Sequence, residues 1–378
     1  MKRVKAAIIG SGMISGIYMQ NLTQTFNDVV ELVGCSDLIP EKAEKRAQEY
    51  GIKVLTNEEI FNDPEIEIVL NLTYMRAHYP VTVQALEAGK HVYTEKCMSL
   101  NRDLAKKVYD LAKRKGLYVT GAPDTFLGAG LQTARKLVDN GTIGKPIAAR
   151  AICVRGFPFF PEYMDSTDRE YSMAAGAGIL HDMGGYYMTA LVNLLGPVKR
   201  VAGNFSITKD QFTYKNPDNP RYGHTVKPQA PQTISATLEF ESGVVGNFLV
   251  TSVGPQGEIP QVEIIGTEGV LYCGDPNMYH GPIGLLREGA WNNPTYEIPL
   301  MFPFSEDSRG IAVADLAKAI QNGRKPRAHM DLPYHVLDVL DGMVDSARSG
   351  QYYEVPSTFE RPRPFAGGTK AGVYQFDD

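Results

Sequence analysis

The chain has 378 residues, 43% hydrophobic and 21% charged, with a formal net charge of −5 at pH 7. That length exceeds one average hydrophobic core, so two domains are expected. The mildly acidic balance, with no basic block, argues against nucleic acid or an anionic membrane as the main partner. No run approaches the roughly 18 apolar residues of a membrane span. The N-terminus, MKRVKAAIIGSG, lacks the longer apolar region and small-residue cleavage site of a secretory leader. Cys35, Cys97, Cys153 and Cys273 are far apart and form no CxxC or Cys/His cluster. Neither a disulfide scaffold nor a metal site is expected, and a reducing cytoplasm suits such a chain.

The first third alternates strand and helix. VKAAIIG (4–10) is an apolar run short enough for a buried parallel strand, and GSGMIS leads from it into an amphipathic stretch. VVELVGCSD ends at Asp37, and Pro40 stands where a first helical residue is favoured, opening PEKAEKRAQEYG. KVLT, EIVLNLT, HVYTE and LYVTGAP are further short strands, separated mostly by NEEIF, HYPVTVQALEAG and NRDLAKKVYDLAKRKG. Gly51, Gly89 and Gly116 mark helix ends. This alternation predicts parallel strands with right-handed crossovers in a doubly wound sheet, a Rossmann domain over 1–124.

Gly10-Ser11-Gly12-Met13-Ile14-Ser15 gains meaning from that setting. The first glycine permits a tight turn and the second lets a pyrophosphate approach the backbone. The third position needs only to be small, so Ser15 is a tolerable departure from GxGxxG. Gly10, Gly12, Met13 and Ile14 are therefore cofactor-binding candidates, with the helix N–H groups facing phosphate. Asp37, with Leu38 beside it, closes the second strand, where a carboxylate accepts from a ribose 2′-hydroxyl and repels a 2′-phosphate. NAD is expected over NADP, with Lys42 and Arg46 as the nearby cations that argue the other way.

After LYVTGAP the alternation stops. TARKLVDNGTIGKP reads as a helix and PIAARAICVRG as a strand. TISATLEFESGVVGNFLVTSV and VEIIGTEGVLYC read as hairpins, and SRGIAVADLAKAIQNG and LPYHVLDVLDGMVDSARSG as closing helices. Residues 125–378 are expected to form an α+β domain on a large, mostly antiparallel open sheet, one face covered by helices and the other available for oligomerisation. In GAGILHDMGGYYMTALVNLLG (176–196) a helical pattern contains Gly184 and Gly185, each costing about 1 kcal/mol relative to alanine, as though something flat approaches the backbone there. Asp182 and Tyr186 are i and i+4, on one face of that helix. A carboxylate and a phenol so placed make an acid/base candidate pair.

The GSGMIS turn with Asp37, a strand ending in Glu95-Lys96 and a helix carrying D-x-G-x-Y together resemble the glucose–fructose oxidoreductase/inositol dehydrogenase/rhizopine-catabolism (Gfo/Idh/MocA) family. The resemblance extends over nearly the whole chain, including GTIGKP, IIGTEG and RGIAVADLAKAI. It implies a two-domain NAD(P)-dependent enzyme acting on sugars, polyols or cyclitols, often a homodimer or homotetramer. The family's EK lysine maps onto Lys96 and its helix aspartate onto Asp182. Tyr186 stands where many members carry histidine, as in tyrosine-bearing subfamilies. Cys97 departs from the usual EKP, leaving open whether the Lys96-Cys97 bond is cis or trans. The resemblance also implies that Thr73 and His78 lie on the cofactor side, with Glu95 fixing Lys96 or touching the nicotinamide side.

The chemistry expected is hydride exchange between NAD and a hydroxyl carbon. Tyr186 is the base, Lys96 stabilises its phenolate, and Asp182 orients the hydroxyl. His181 and Arg155 are substrate candidates, and the aromatic stretches GFPFFPEYMDSTDREY and TYKNPDNPRYGH offer stacking faces. His329, Asp331 and His335 are close in sequence, but no metal is expected there. Two other readings compete: a redox-neutral sugar-converting enzyme with tightly bound NAD, and a non-catalytic NAD/sugar sensor, which intact Lys96, Asp182 and Tyr186 argue against.

Overall fold

A computed structural model describes residues 2–155, 178–255, 261–287 and 295–366. The chain forms two compact units. The first comprises Met1–Gln132, Met301–Tyr334 and Pro362–Asp378 as far as described, and the second Thr133–Leu300 and His335–Arg361.

The first unit is a six-stranded parallel sheet in the order β3-β2-β1-β4-β5-β6. Its strands are β1 (Val4–Ile9), β2 (Val30–Ser36), β3 (Lys53–Val54), β4 (Ile66–Asn71), β5 (His91–Thr94) and β6 (Val119–Gly121). β1 and β4 bury nearly every residue, as strands covered on both faces must. The helices are α1 (Ser15–Gln20), continued by a π-helical turn, α2 (Pro40–Tyr50), α3 (Asn57–Asn62), α4 (Met75–Glu87) and α5 (Arg102–Lys115). Their ends are written locally. A capping box of Thr56 and Glu59 starts α3, Asn101 caps α5, and Gly51 and Gly116 close α2 and α5 in the left-handed conformation.

The second unit holds a nine-stranded sheet in the order β16-β15-β14-β13-β7-β12-β11-β8-β17. After α6 (Ala129–Asp139) come β7 (Pro146–Val154), α7 (Ile179–Asp182), α8 (Gly184–Leu195) and β8 (Val198–Ser206). β9 (Phe212–Thr213) and β10 (Thr225–Val226) pair apart from the large sheet, flanking the aromatic stretch 213–224. There follow β11 (Thr233–Phe240), β12 (Val245–Thr251), β13 (Val262–Gly266), β14 (Gly269–Cys273), β15 (Ile283–Arg287) and β16 (Tyr296–Glu297). α9 (Ile311–Asn322), α10 (Asp331–Ser349) and β17 (Tyr353–Glu354) complete the order. The two expected hairpins are β11–β12 and β13–β14. All neighbouring pairs are antiparallel except β7 with β12. β11 alternates buried Ile234, Ala236, Leu238 and Phe240 with the more exposed Thr233, Ser235, Thr237 and Glu239. One face is therefore core. α8 lies against β7, and the backbone of α10 passes so close to β8 that a Cβ on Gly203 would sit 2.2 Å from Met343 O.

One reading changes. SRGIAVADLAKAIQNG was expected among the helices of the second domain, but α9 belongs to the first unit, where it packs on β2 and β6. The cause is a buried carboxylate just after β6. Asp124 is 1% exposed and accepts from Gly310 N at 3.0 Å and Ala312 N at 3.3 Å, capping α9. Asp315 on α9, fully buried, holds Arg324 at 2.7 Å and Arg327 at 2.6 Å.

Candidate active site

In the first sheet the strand order reverses between β1 and β4, the place where open α/β sheets bind ligands beyond the carboxyl ends of their strands. Gly10 follows β1 with φ of 102°, and a Cβ there would meet Leu72 C and O at 2.7 Å and Thr73 N at 2.8 Å. Only glycine satisfies both the dihedral and the space. Gly12 instead faces open space, with nothing within 4 Å of where a Cβ would stand. Ser15 is buried and donates its hydroxyl to Gly12 O at 2.7 Å, so the substituted third position of the motif closes the turn with its side chain. Asp37 accepts from Ser11 N at 2.7 Å and from Ile39 N at 2.9 Å, tying the end of β2 to the turn.

Met13, Leu38 and Ile39 are 76%, 96% and 48% exposed, with Ile14 at 36%: apolar side chains held in water beside a carboxylate and an open glycine turn. This set fits a dinucleotide, which presents a pyrophosphate, ribose hydroxyls and a flat base. Arg46, one of the cations that argued for NADP, is engaged within the fold. Its guanidinium packs against Gly16, pairs with Glu49 at 2.8 Å and reaches Gly12 O at 3.5 Å.

At the end of β5, Glu95 is buried and accepts from Tyr18 OH at 2.7 Å and from Lys96 N at 3.0 Å. The Tyr93 hydroxyl lies 2.7 Å from that of Tyr18. Glu95 thus faces inward, while the half-buried Lys96 begins the turn beyond it. The Lys96-Cys97 peptide bond is cis. Thr73 donates its hydroxyl to Asn71 Oδ1 at 2.6 Å, and Asn71 in turn donates to His78 O at 2.9 Å and Thr82 Oγ1 at 3.1 Å. His78 is 1% exposed, and burial pushes its pKa down. Asn71, Tyr18 and Tyr93 escaped the sequence reading. Their signal was a polar or phenolic group at a position where the pattern demands burial.

In the second unit the described residues 178–196 do not form one helix. α7 ends at Asp182 and α8 starts at Gly184, with Met183 at φ −109°, ψ −37° between them. Asp182 therefore ends α7 and Tyr186 lies in the first turn of α8, so the two are not one turn apart on a single helix as the i, i+4 spacing predicts. The glycines separate as well. A Cβ on Gly184 would make ordinary van der Waals contact with Leu180, Phe248 and Val250 at 3.4–3.6 Å, whereas Gly185 has nothing within 4 Å. Tyr186 is 8% exposed and Asp182 half-buried. His181 Nε2 lies 2.9 Å from Asp341 Oδ1 on α10. Arg155 forms an ion pair with Asp275, near which Tyr187 donates to Gln261 Oε1 at 2.6 Å. Burial pushes the Tyr187 phenol up, and the Cys153 thiol in the same cluster up to about 11.

The aromatic stretch 156–171 lies outside the described residues. His329 and Asp331 pair at 3.0 Å, while His335 Nε2 accepts from Val198 N at 3.0 Å. Among the described residues no group of three or more His, Cys, Asp or Glu is placed to hold a metal, and no helix is long and apolar enough to cross a membrane.

The same architecture is found in known proteins. A family model described as "Oxidoreductase family, NAD-binding Rossmann fold" matches residues 4–122, and one for the GFO/IDH/MocA C-terminal domain matches residues 131–272. The chain belongs to the Gfo/Idh/MocA family and is an NAD-binding oxidoreductase. It is 24% identical to a scyllo-inositol 2-dehydrogenase (NAD(+)) of Bacillus subtilis, over 86% of this chain and 88% of that protein. It is also 24% identical to a levoglucosan dehydrogenase of Pseudarthrobacter phenanthrenivorans, over 84% of this chain and 87% of the relative. Among solved structures, a levoglucosan dehydrogenase in complex with NADH superposes with a TM-score of 0.81 at 20% identity, covering 94% of this chain and all of that one.

Proposed function

We propose that this enzyme transfers a hydride between NAD and a hydroxyl carbon of a sugar, polyol or cyclitol. The observation that carries the proposal is the match over more than four-fifths of the chain to relatives named as inositol and levoglucosan dehydrogenases. When bound, NAD supplies the hydride acceptor. Gly10, Gly12, Met13 and Ile14 would hold its pyrophosphate, Asp37 and Leu38 its adenosine side, and Thr73 and Glu95 would lie toward the nicotinamide.

The chain's own groups handle the proton. An unperturbed phenol titrates near 10, too high for efficient base catalysis at neutrality. Tyr186 takes the hydroxyl proton, and the Lys96 ammonium favours the phenolate and the developing alkoxide. Asp182 orients the hydroxyl by accepting from it. His181 and Arg155 are substrate-side candidates whose polar ends already meet Asp341 and Asp275, so each reaches a sugar only with its partner carboxylate attached. Assembly as a homodimer or homotetramer through the less buried face of the nine-stranded sheet belongs to the same proposal. A monomer in sedimentation analysis would remove it.

The test is mass spectrometry for copurified NAD(H), followed by a sugar and cyclitol panel read at 340 nm and by product analysis. The expected result is reduction of added NAD by at least one cyclitol or sugar. A protein that binds no NAD(H), or that converts a sugar with no net change in cofactor, would overturn it.

A further inference from the structure

His78 sits in the first turn of α4 with its ring between two chain segments. Nδ1 lies 2.8 Å from Cys97 O and Nε2 lies 2.9 Å from Thr73 O. At 1% exposure and with both nitrogens met by backbone oxygens, the ring has no polar edge to offer a ligand. We infer that His78 is a positioning residue, which ties the Lys96-Cys97 turn after β5 to the Thr73 loop after β4 and so places Lys96 relative to the cofactor. The inference rests on the function proposed above, because it takes Lys96 as the reacting cation and Thr73 as a cofactor-side residue.

Valence limits what the ring can do between two carbonyls. Both carbonyls only accept, and a neutral imidazole carries one N–H. A neutral ring therefore donates to one segment and turns a lone pair toward the other, while an imidazolium donates to both. Burial favours the neutral ring, whereas the Glu95 carboxylate favours the charged one and the Lys96 ammonium opposes it. In either state the ring fills the gap between the two segments and hydrogen-bonds at least one of them. Asn71 reinforces the arrangement from behind. It accepts from the Thr73 hydroxyl at 2.6 Å and donates to His78 O at 2.9 Å, so the loop, the helix turn and the ring form one connected unit. Catalysis is sensitive to displacements of about 1 Å, which can cost about 10²-fold, and a buried ring wedged between two loop backbones and hydrogen-bonded to at least one of them resists such displacements.

The test compares His78→Leu with His78→Gln in the full chain, measuring NADH affinity by fluorescence titration and kcat on the substrate found in the panel. His78→Leu is expected to lower kcat by about tenfold or more, with NADH affinity changed by less than about threefold. His78→Gln, which retains a donor, is expected to recover part of kcat. Equal kcat in wild type and His78→Leu would overturn the inference, and so would a loss confined to NADH affinity. Should the variants not fold, the wild type decides. Histidine-ring ¹⁵N NMR is expected to show a His78 ring N–H protected from exchange, and ring protons exchanging freely with water would overturn the inference. A wild type that binds no NADH refutes the proposed function instead, so the two failures are told apart.

Discussion

The two sheets carry their candidate chemistry in different ways. In the parallel sheet four candidates each follow a strand end: Gly10 after β1, Asp37 after β2, Thr73 after β4 and Lys96 after β5. Parallel strands point the same way, so their C-terminal ends gather at one edge without any long-range information. In the nine-stranded sheet the candidates sit on a broken helix above the strands, and their placement depends on packing against β12 and on α10. A strand-edge site is thus written locally, whereas a helix-borne site is written by whatever the helix rests on.

The most severe way to break this contrast is at Lys96. Lys96→Met should lower turnover by a factor of roughly 10² or more, because the stabilising cation is lost, while NADH affinity stays within a few-fold of wild type. Turnover near the wild-type rate would remove the lysine from the chemistry.

Gly10→Ala tests the strand-edge geometry itself. Its Cβ would meet backbone atoms of Leu72 and Thr73 at 2.7–2.8 Å in a positive-φ conformation. A loss of about 2–3 kcal/mol in urea unfolding is expected, together with weakened NADH binding. An unchanged urea midpoint would mean that the turn is looser than it looks.

The second unit should show its own pH dependence through His335. This ring is fully buried, accepts from Val198 N at 3.0 Å, and lies 3.0 Å from Ser357 O through Nδ1. Burial pushes its pKa down to about 4, against the retained backbone hydrogen bond to Ser357 and the Asp338 charge. The unfolded chain, with a histidine near 6.5, binds the proton first, so stability contributed by the neutral ring is present above about 6.5 and lost as pH falls toward 4. The loss is of order 2–3 kcal/mol. Unfolding midpoints at pH 7 and 4.5 measure it, and His335→Asn should flatten the slope in that interval. A slope unchanged by that replacement would assign the dependence to other groups.

The smallest effect is expected at Gly185, which has nothing within 4 Å of its missing Cβ. Gly185→Ala should raise stability by about 0.5–1 kcal/mol, since alanine loses less entropy in a helix. If thermal stability rises while substrate affinity falls, Gly185 also leaves room for the ligand, the reading that the pair Gly184-Gly185 first suggested.

Much of the first unit was legible beforehand. The order of apolar runs, the helix stops at Gly51 and Gly116 and the Gly10–Ser15 turn all rest on interactions within a few residues. The parallel sheet follows from them, as does the expectation of NAD. Three features were not legible. α9 returns to the first unit because Asp124, buried 186 positions away in sequence, caps Gly310. The helix expected through Asp182 and Tyr186 breaks at Met183, between α7 and α8, where the local spacing shows no interruption. The residue pattern alone reads His78 as a polar residue at a helix start, and the family resemblance puts it on the cofactor side, but neither shows Thr73 O and Cys97 O on either side of its ring. Sequence determines what local hydrogen bonding and periodicity can dictate: element type, caps, and which residues end a strand. Tertiary structure alone decides which buried polar groups meet, because that depends on carbonyls and carboxylates that strand crossovers bring together, and no spacing along the chain encodes those meetings.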